Sequence, residues 1–345
     1  MKRKYNSRKR TPWENSEMTA TQKFISDKYK DNYKKKHPKL SETDEHILIN
    51  NITVLKCRRC DSENIKKNGY TKNGIQRYYC SDCHKDFLPI TNTIFENHKI
   101  SISEWIEYCL DIINYGSLSL TSKVNKNSIS TSIYWFHKLF LLLKEYQNNI
   151  VLKGNVYIDE TFYSVLPDDI ITKNEKKLRG LSQNQYCIGV GCDGTNVIAI
   201  IEGMGKTSSK KTKDTFSKHI QSGSRLIHDD EKSHKSLVKE LSLIDESYNS
   251  KYLKKLNDKN NPLDMINNVC DLLKKFLSSH SGFNRDDFED YLNLFCFITS
   301  SPSDKLKKVE ILLNLALSTK VTLKYRDLFN VTSVEEDNHS AELCK

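Results

Sequence analysis

The chain has 345 residues, of which 37% are hydrophobic and 28% are charged, and its formal net charge is +10. No stretch approaches the roughly 18 consecutive apolar residues of a membrane-spanning helix, so we expect no membrane partner. No apolar segment follows the basic residues at the start, and we therefore expect no secretory signal and a cytoplasmic location. Ten cysteines in such a chain favour metal binding or burial over a disulfide framework.

The positive charge is concentrated at the beginning of the chain. Residues 1–40 contain 13 Lys or Arg and 4 Asp or Glu, so the remainder is close to neutral. We interpret residues 1–50 as a basic, partly disordered arm that suits a polyanionic partner. The alternative is a solvated tail without a partner.

Residues 51–95 contain two pairs of cysteines, each with CxxC spacing. Cys57, Cys60, Cys80 and Cys83 are separated by a glycine-containing segment typical of a hairpin. Two such pairs complete a tetrahedral shell of four cysteines with no open position, which predicts a structural Zn²⁺ in a zinc ribbon. Redox-active cysteine pairs are the alternative. His84 follows the last cysteine but is not needed as a ligand.

Residues 96–150 have a helical pattern. A helix opened by Ser103 is followed by a short helix over 118–124, a turn at 125–127 and a longer helix from Ser128, which together suggest a helix-turn-helix-like module. We expect Thr131, Ser132, Trp135 and Lys138 near the exposed face of its recognition helix. The alternative is a helical linker whose aromatic residues form core.

Residues 151–300 alternate short β-branched runs with helical segments. Strands are predicted at 156–161, 186–192, 197–201 and 225–229, with helices near 210–220, 233–241 and 264–277. The first three strands can pair antiparallel, and the fourth, entering after a helix, can lie parallel beside the first. The predicted fold is an α/β, ribonuclease-H-like mixed sheet with flanking helices. Residues 301–345 are predicted as a C-terminal helix and tail.

Two acids end predicted neighbouring strands, Asp159 and Asp229. A strand-end aspartate alone is most often a turn residue, but two beside a later polar helix face predict a site for Mg²⁺ or Mn²⁺. On that helix, Asn267 lies between Asp264 and Asp271, with Lys274 two turns after Asn267.

Three neighbours of the two acids are left out of the predicted site. Glu160 and His228 alternate to the other face of their strands. His234 could reach the site from the next helix, but we expect it to be a surface residue.

Several segments together resemble bacterial transposases of insertion-sequence family 1595, which are related to the DDE transposases. The resemblance covers roughly residues 45–330. It is carried by the four cysteines and by the segments Tyr-Ile-Asp-Glu-Thr (157–161), His-Asp-Asp-Glu-Lys-Ser-His (228–234), Asn-Pro (261–262) with Ile-Asn (266–267) and Leu-Lys (273–274), and Ser-His-Ser-Gly-Phe-Asn-Arg-Asp-Asp (279–287).

The resemblance implies a zinc-binding N-terminal module and a ribonuclease-H-like catalytic domain. In one branch of the family, Asn followed by Lys replaces the third acid. By motif, the catalytic residues would be Asp159, Asp229, Asn267 and Lys274, and Asn267 would complete the magnesium site; Asp264 is the rival ligand.

The expected function is that of a DNA transposase. It would bind the terminal inverted repeats of its element and target DNA in the bacterial nucleoid, and would catalyse strand cleavage and strand transfer as a homo-oligomer in a synaptic complex. The alternatives are a catalytically inactive, transposase-derived DNA-binding regulator and a nuclease that cuts without joining.

Overall fold

A computed structural model describes residues 19, 21, 23–25, 27, 28, 43–173, 176–178, 180, 182–253, 256 and 260–329. Most of the predicted basic arm and the end of the chain from residue 330 lie outside these residues. The chain forms two compact units. The first comprises Met1–Asp111, Leu118–Lys138 and Ile311–Lys345, and the second comprises Ile112–Ser117 and Leu139–Glu310.

None of the helices in the described ranges combines the length and apolar character required to cross a membrane.

The first unit contains a three-stranded antiparallel sheet in the order β1-β2-β3. The strands are β1 (Ile65–Tyr70), β2 (Gln76–Cys80) and β3 (Lys85–Phe87), preceded by helix α1 (Glu45–Asn50). Phe87 is buried against Cys57 and Cys80 in a small core. So small an apolar core provides little stability by itself, which is the usual reason for a structural metal in a domain of this size.

Helices follow the sheet at the positions predicted from the sequence: α2 (Ile102–Ile113), α3 (Leu118–Val124) and α4 (Ile129–Leu143). The expected exposed face of α4 is wrong, however, because Ser132, Trp135 and Lys138 are buried and Thr131 is half-buried. Between Ile133 and Leu143 the helix is apolar on nearly all sides, and such a helix is covered by other parts of the protein.

The second unit is built on a five-stranded mixed sheet in the order β10-β9-β4-β7-β8. Its strands are β4 (Asn155–Ser164), β7 (Gln185–Cys192), β8 (Val197–Met204), β9 (Arg225–Asp229) and β10 (Ile244–Tyr248), and a separate two-stranded sheet joins β5 (Thr172–Lys173) and β6 (Lys176–Lys177). Strand β4 pairs antiparallel with β7 and parallel with β9, and β7 pairs antiparallel with β8.

This order and these directions confirm the ribonuclease-H-like fold that the sequence predicts. Strand β10, which pairs parallel with β9, was not predicted. Its sequence, Ile-Asp-Glu-Ser-Tyr, has little of the apolar alternation that identifies a strand, because β10 is an edge strand with mostly exposed side chains.

Side chains alternate between the two faces of the sheet. Val156 and Ile158 of β4 and Leu226 of β9 pack with Phe216 and Leu237, which belong to two helices on one face. Those helices are α5 (Ser209–Phe216) and α6 (Lys235–Glu240). The intervening residues of β4, including Asp159, therefore belong to the opposite face.

The opposite face of the sheet is covered by helix α8 (Asp264–Ser279), which packs on β4 and β7. Its buried residues are Ile266, Val269, Cys270, Leu273, Phe276 and Leu277. The remaining helices are α7 (Ser250–Leu253), α9 (Phe288–Thr299), α10 (Lys305–Ser318) and α11 (Tyr325–Phe329). Thus the element that carries Asn267 and Lys274 lies on the same face of the sheet as Asp159.

Candidate functional site

The four predicted zinc ligands lie together in the first unit. Their sulfur atoms are all within 4.8 Å of one another. The Sγ–Sγ distance is 3.7 Å between Cys57 and Cys83 and 3.6 Å between Cys60 and Cys80. Four sulfurs at about 2.3 Å from a central Zn²⁺ would be about 3.8 Å apart, so the arrangement fits a tetrahedral metal.

The backbone around the cysteines is arranged in two similar knuckles. The residue after each CxxC pair, Asp61 and His84, has a positive φ of 61° and 55°. In the first knuckle the N–H of Arg59 donates to the Cys57 sulfur at 3.4 Å. In the second, the backbone N–H of Cys83 lowers the pKa of Cys80 to about 6. Both contacts favour the thiolate, the form that binds zinc, at Cys57 and Cys80. Burial raises the pKa of Cys83, and the pKa of Cys60 is raised to about 12, so these two thiols would lose their protons to the metal.

Asp159 and Asp229 lie at corresponding positions of the adjacent parallel strands β4 and β9. The last residues that the ladder pairs are Tyr157 and Ile227, two positions before each acid. The charge of Asp229 raises the pKa of Asp159, so the two carboxylates are near each other. Asp159 accepts a hydrogen bond from the N–H of Glu160 at 2.8 Å. The Oδ1 atom of Asp229 is buried and accepts no hydrogen bond from any described residue.

The electrostatics of the two acids are unfavourable for two negative charges. Burial raises the pKa of Asp159 to about 6, with a further increase from the charge of Asp229. Burial also raises the pKa of Asp229, against an opposing effect of His234. Two half-buried carboxylates that repel each other, one with a buried and unsatisfied oxygen, fit a site for a divalent cation.

Helix α8 approaches the acids through a residue that the sequence analysis did not select. The Sγ atom of Cys270 lies 3.9 Å from Oδ2 of Asp159. Asn267 and Lys274 are one turn before and one turn after Cys270, on the same side of the helix. Both are exposed, and Lys274 Nζ lies 3.6 Å from Asp271 Oδ1.

The rival ligand, Asp264, is exposed like Asn267 and has another partner. Its carboxylate accepts a hydrogen bond from Asn268 Nδ2 at 3.0 Å. The roles of Asn267, Lys274 and Asp264 remain predictions.

The expectation that His234 is a surface residue is wrong, because its side chain is fully buried. Its Nε2 is 2.9 Å from Glu160 Oε1, its Nδ1 is 2.8 Å from Nδ1 of His228, and Nε2 of His228 is 3.0 Å from Asp245 Oδ1. Nδ1 of His234 also lies 3.8 Å from Asp229 Oδ1.

These contacts join Glu160, His234, His228 and Asp245 in a chain on the other side of the sheet, which is buried from Glu160 to His228 and reaches the surface at Asp245. The ligand atoms of His228, Asp229 and His234 lie within 4.8 Å of one another, so this group could also hold a metal ion. Glu160 and His228 lie on the opposite face of the sheet from Asp159 and Asp229, as the alternation of side chains along the strands predicts. The alternation gave no indication that a short 3₁₀ helix (Lys232–His234) would bring His234 between them.

No protein-family model matches the chain, and no curated protein sequence matches it. Among solved structures, the Mos1 strand transfer complex is similar with 12% identity and a TM-score of 0.29, covering 61% of this chain and 74% of that chain. A pre-cleavage Mos1 transpososome has 11% identity and a TM-score of 0.21, covering 61% and 78%. A Mos1 transposase paired-end complex with the left transposon end has 13% identity and a TM-score of 0.22, covering 60% and 77%. Since these TM-scores are below 0.5, the similarities identify neither a family nor an activity for this chain.

Proposed function

We propose that the chain is a DNA transposase of the insertion-sequence type, which cleaves DNA strands at the ends of its element and transfers them to a target. The observation that carries this proposal is the position of Asp159 and Asp229 on adjacent parallel strands, on the sheet that helix α8 covers. Paired carboxylates near a third polar group are what metal-dependent phosphodiester chemistry requires.

Asp159, Asp229 and Asn267 are the proposed ligands for Mg²⁺ or Mn²⁺. The unsatisfied Oδ1 of Asp229 and the raised pKa values of both acids support a cation at this position. When bound, a pair of such ions would activate the attacking water or 3′-hydroxyl and stabilise the leaving oxygen. The protein's contribution is to hold two carboxylates rigidly on the central strands of a sheet.

Asn267 and Lys274 are proposed to act on either side of Cys270. An amide oxygen can bind Mg²⁺ without adding negative charge, and the Lys274 ammonium can grip the scissile phosphate once it leaves Asp271. We expect Asn267→Ala to lose strand transfer while Asp264→Ala retains it. The reverse result would assign the ligand role to Asp264.

The first unit is proposed to bind the terminal inverted repeats through the zinc ribbon. Lys66, Lys67, Lys72 and Arg77 are exposed along β1, β2 and the turn between them, whereas Arg58 donates to the carbonyls of Leu317 and Ser318. Four exposed cations on one small sheet suit phosphate contacts, so binding should weaken steeply with salt.

The decisive experiment is a cleavage and strand-transfer assay with labelled DNA from the ends of the encoding element. Wild type is compared with Asp159→Ala and Asp229→Ala in Mg²⁺ and in Mn²⁺, with Lys275→Ala as an exposed control on α8. Metal-dependent nicking and joined products that disappear only in the first two variants would support the transposase, acting as a homo-oligomer in a synaptic complex. Nicking without joining would indicate a nuclease, and tight DNA binding without cleavage would indicate the regulator.

A further inference from the structure

A cavity of about 710 Å³ lies within the first unit, beside helix α4 at Tyr134 and Lys138. Aromatic side chains form much of its wall, and basic side chains lie around it. The residues that line it include Trp105, Tyr134, Trp135, Lys138, Tyr325 and Arg326. Its volume is in the range of small-molecule sites in proteins and is too small for duplex DNA.

Lys138 is the most unusual residue of this cavity. Its side chain is buried, and burial lowers its pKa to about 8. Nζ donates to the carbonyl of Ile94 at 2.6 Å and lies 4.6 Å from the centre of the Tyr134 ring. Among the described residues no carboxylate forms an ion pair with it, although buried charges in proteins are normally paired.

A second buried lysine, Lys308, also has its pKa lowered to about 8 by burial, but it has more hydrogen-bond acceptors than Lys138. Lys308 donates to the carbonyls of Phe297 and Ser300, which lie at the C-terminal end of α9. The negative end of a helix dipole compensates a cation at that position. Lys138 has one carbonyl partner and retains two further N–H donors, so its balance is incomplete.

Trp105 provides an independent observation at the same cavity. It is 2% exposed, and its indole Nε1 has no hydrogen-bond partner among the described residues. A buried indole N–H normally has an acceptor. Two side chains that line the cavity are thus buried donors, and within the described part of the chain Trp105 has no acceptor while Lys138 has one.

The acidic residues nearby do not supply that acceptor. Glu96 also lines the cavity, but its carboxylate accepts from the N–H of Asn92 and lies 3.8 Å from Arg59. Burial raises the pKa of Tyr134, and the charge of Asp327 raises it further. The Asp327 carboxylate also lies 4.0 Å from the guanidinium of Arg326.

The rim of the cavity is basic, since Lys99, Lys324 and Arg326 are exposed there. A ligand that fits this environment has an anionic group for Lys138 and a flat ring for Trp105, Tyr134, Trp135 and Tyr325. A single nucleotide unit meets both conditions, because bases stack on aromatic side chains and phosphate accepts from ammonium and indole N–H groups.

We propose that this cavity binds one nucleotide, with its phosphate at Lys138 and Trp105 and its base against the aromatic wall. The nucleotide is either a free mononucleotide or an unpaired nucleotide at a DNA end. Binding is independent of the chemistry at Asp159 and Asp229, and it is measured without cleavage.

The test is a titration of the full chain with thymidine monophosphate, thymidine and inorganic phosphate, followed by tryptophan fluorescence. Two of the three tryptophans, Trp105 and Trp135, line the cavity. A parallel arm uses duplexes that differ only in a terminal unpaired 2-aminopurine nucleotide. The variants are Lys138→Met, which keeps the length of the side chain, and Lys123→Met, an exposed control on α3. Thermal unfolding of both variants shows whether they fold.

We expect saturable quenching by the monophosphate that is about 10-fold or more weaker in Lys138→Met, which corresponds to the loss of one charged hydrogen bond. Lys123→Met should bind like wild type, and thymidine should bind more weakly than its monophosphate. If only the unpaired duplex shows Lys138-dependent binding, the nucleotide comes from DNA. Three results would overturn the proposal. They are binding by folded Lys138→Met that equals binding by wild type, no saturable binding of the monophosphate or the unpaired duplex, and binding of inorganic phosphate that equals binding of the monophosphate.

Discussion

Replacing Asp159 by asparagine should stabilise the protein in the absence of metal while abolishing cleavage. In the folded protein, burial raises the pKa of this carboxyl from its ordinary value of 3.8 to about 6. Because the pKa of Asp159 is higher in the folded protein than in the unfolded chain, the protonated carboxyl favours the folded state. This contribution to the free energy of unfolding is fully present below the pKa of the unfolded chain and is lost as the pH rises through about 6. The difference between the folded and unfolded pKa values corresponds to about 3 kcal/mol above pH 6.

Asparagine removes this unfavourable charge and keeps an oxygen at Oδ1 that can accept the bond from Glu160 N–H. Its amide nitrogen takes the place of Oδ2, so only the long contact of 3.9 Å with Cys270 Sγ loses its acceptor. The unfolding free energy of Asp159→Asn should exceed that of wild type by up to about 3 kcal/mol at pH 7.5, and by about 1 kcal/mol at pH 4.5.

The measurement is urea unfolding followed by circular dichroism in chelator at both pH values. Asp271→Asn, an exposed acid on α8, is the matched control and should change stability little. Adding Mn²⁺ should stabilise wild type and not Asp159→Asn, since a ligand stabilises only the state that binds it. A loss of stability in Asp159→Asn at pH 7.5, or an equal gain at both pH values, would refute the electrostatic account of the site.

The other predictions concern the zinc ribbon, the buried histidine and the sheet. Cys80→Ser should release the proposed zinc and unfold the ribbon, as measured by metal content and hydrogen exchange. The control His84→Ala should keep the metal. Equal zinc content in both variants would contradict the assignment of four cysteine ligands. His234→Ala should destabilise the fold by about 3–5 kcal/mol, because it leaves Glu160 buried without its partner. In urea unfolding, the double variant with Glu160→Gln should recover part of this loss. Additive effects of the two changes would argue against a coupled pair. Gly189→Ala should lower the unfolding free energy by about 1–3 kcal/mol, because a Cβ atom there would lie 3.0 Å from the Phe216 ring, and an unchanged value would indicate that the ring can move.

The sheet of the second unit was predictable because its strands have distinct apolar patterns. Strand β7 is a run of mostly buried side chains, β8 begins with three, and β4 has buried Val156 and Ile158 in alternation; the helix between β8 and β9 allows β9 to return parallel to β4. Asp229 ends β9 as predicted, whereas Asp159 lies in the middle of β4, because the strand continues to Ser164 through pairing with β7.

Other features depend on tertiary packing that no local pattern reports. His234 follows a polar segment, and only the closure of a short 3₁₀ helix over the sheet buries it beside Glu160. Lys138 was expected to face solvent because lysine usually does, but it lies in a helix that the rest of the unit covers. Cys270 has no charge to mark it and is recognised only by its distance from Asp159.

The first unit is assembled from three separate stretches of the chain, the last of which begins within helix α10 at Ile311. During synthesis, the four cysteines would be able to bind the proposed zinc long before the carbonyls of Leu317 and Ser318, which Arg58 contacts, have left the ribosome. The DNA binding proposed for this unit would then have to wait for almost the whole polypeptide, when the second unit is already made. Ribosome-bound chains in which only residues before 311 have emerged should therefore bind terminal-repeat DNA more weakly than chains held on a C-terminal linker that lets residue 329 emerge.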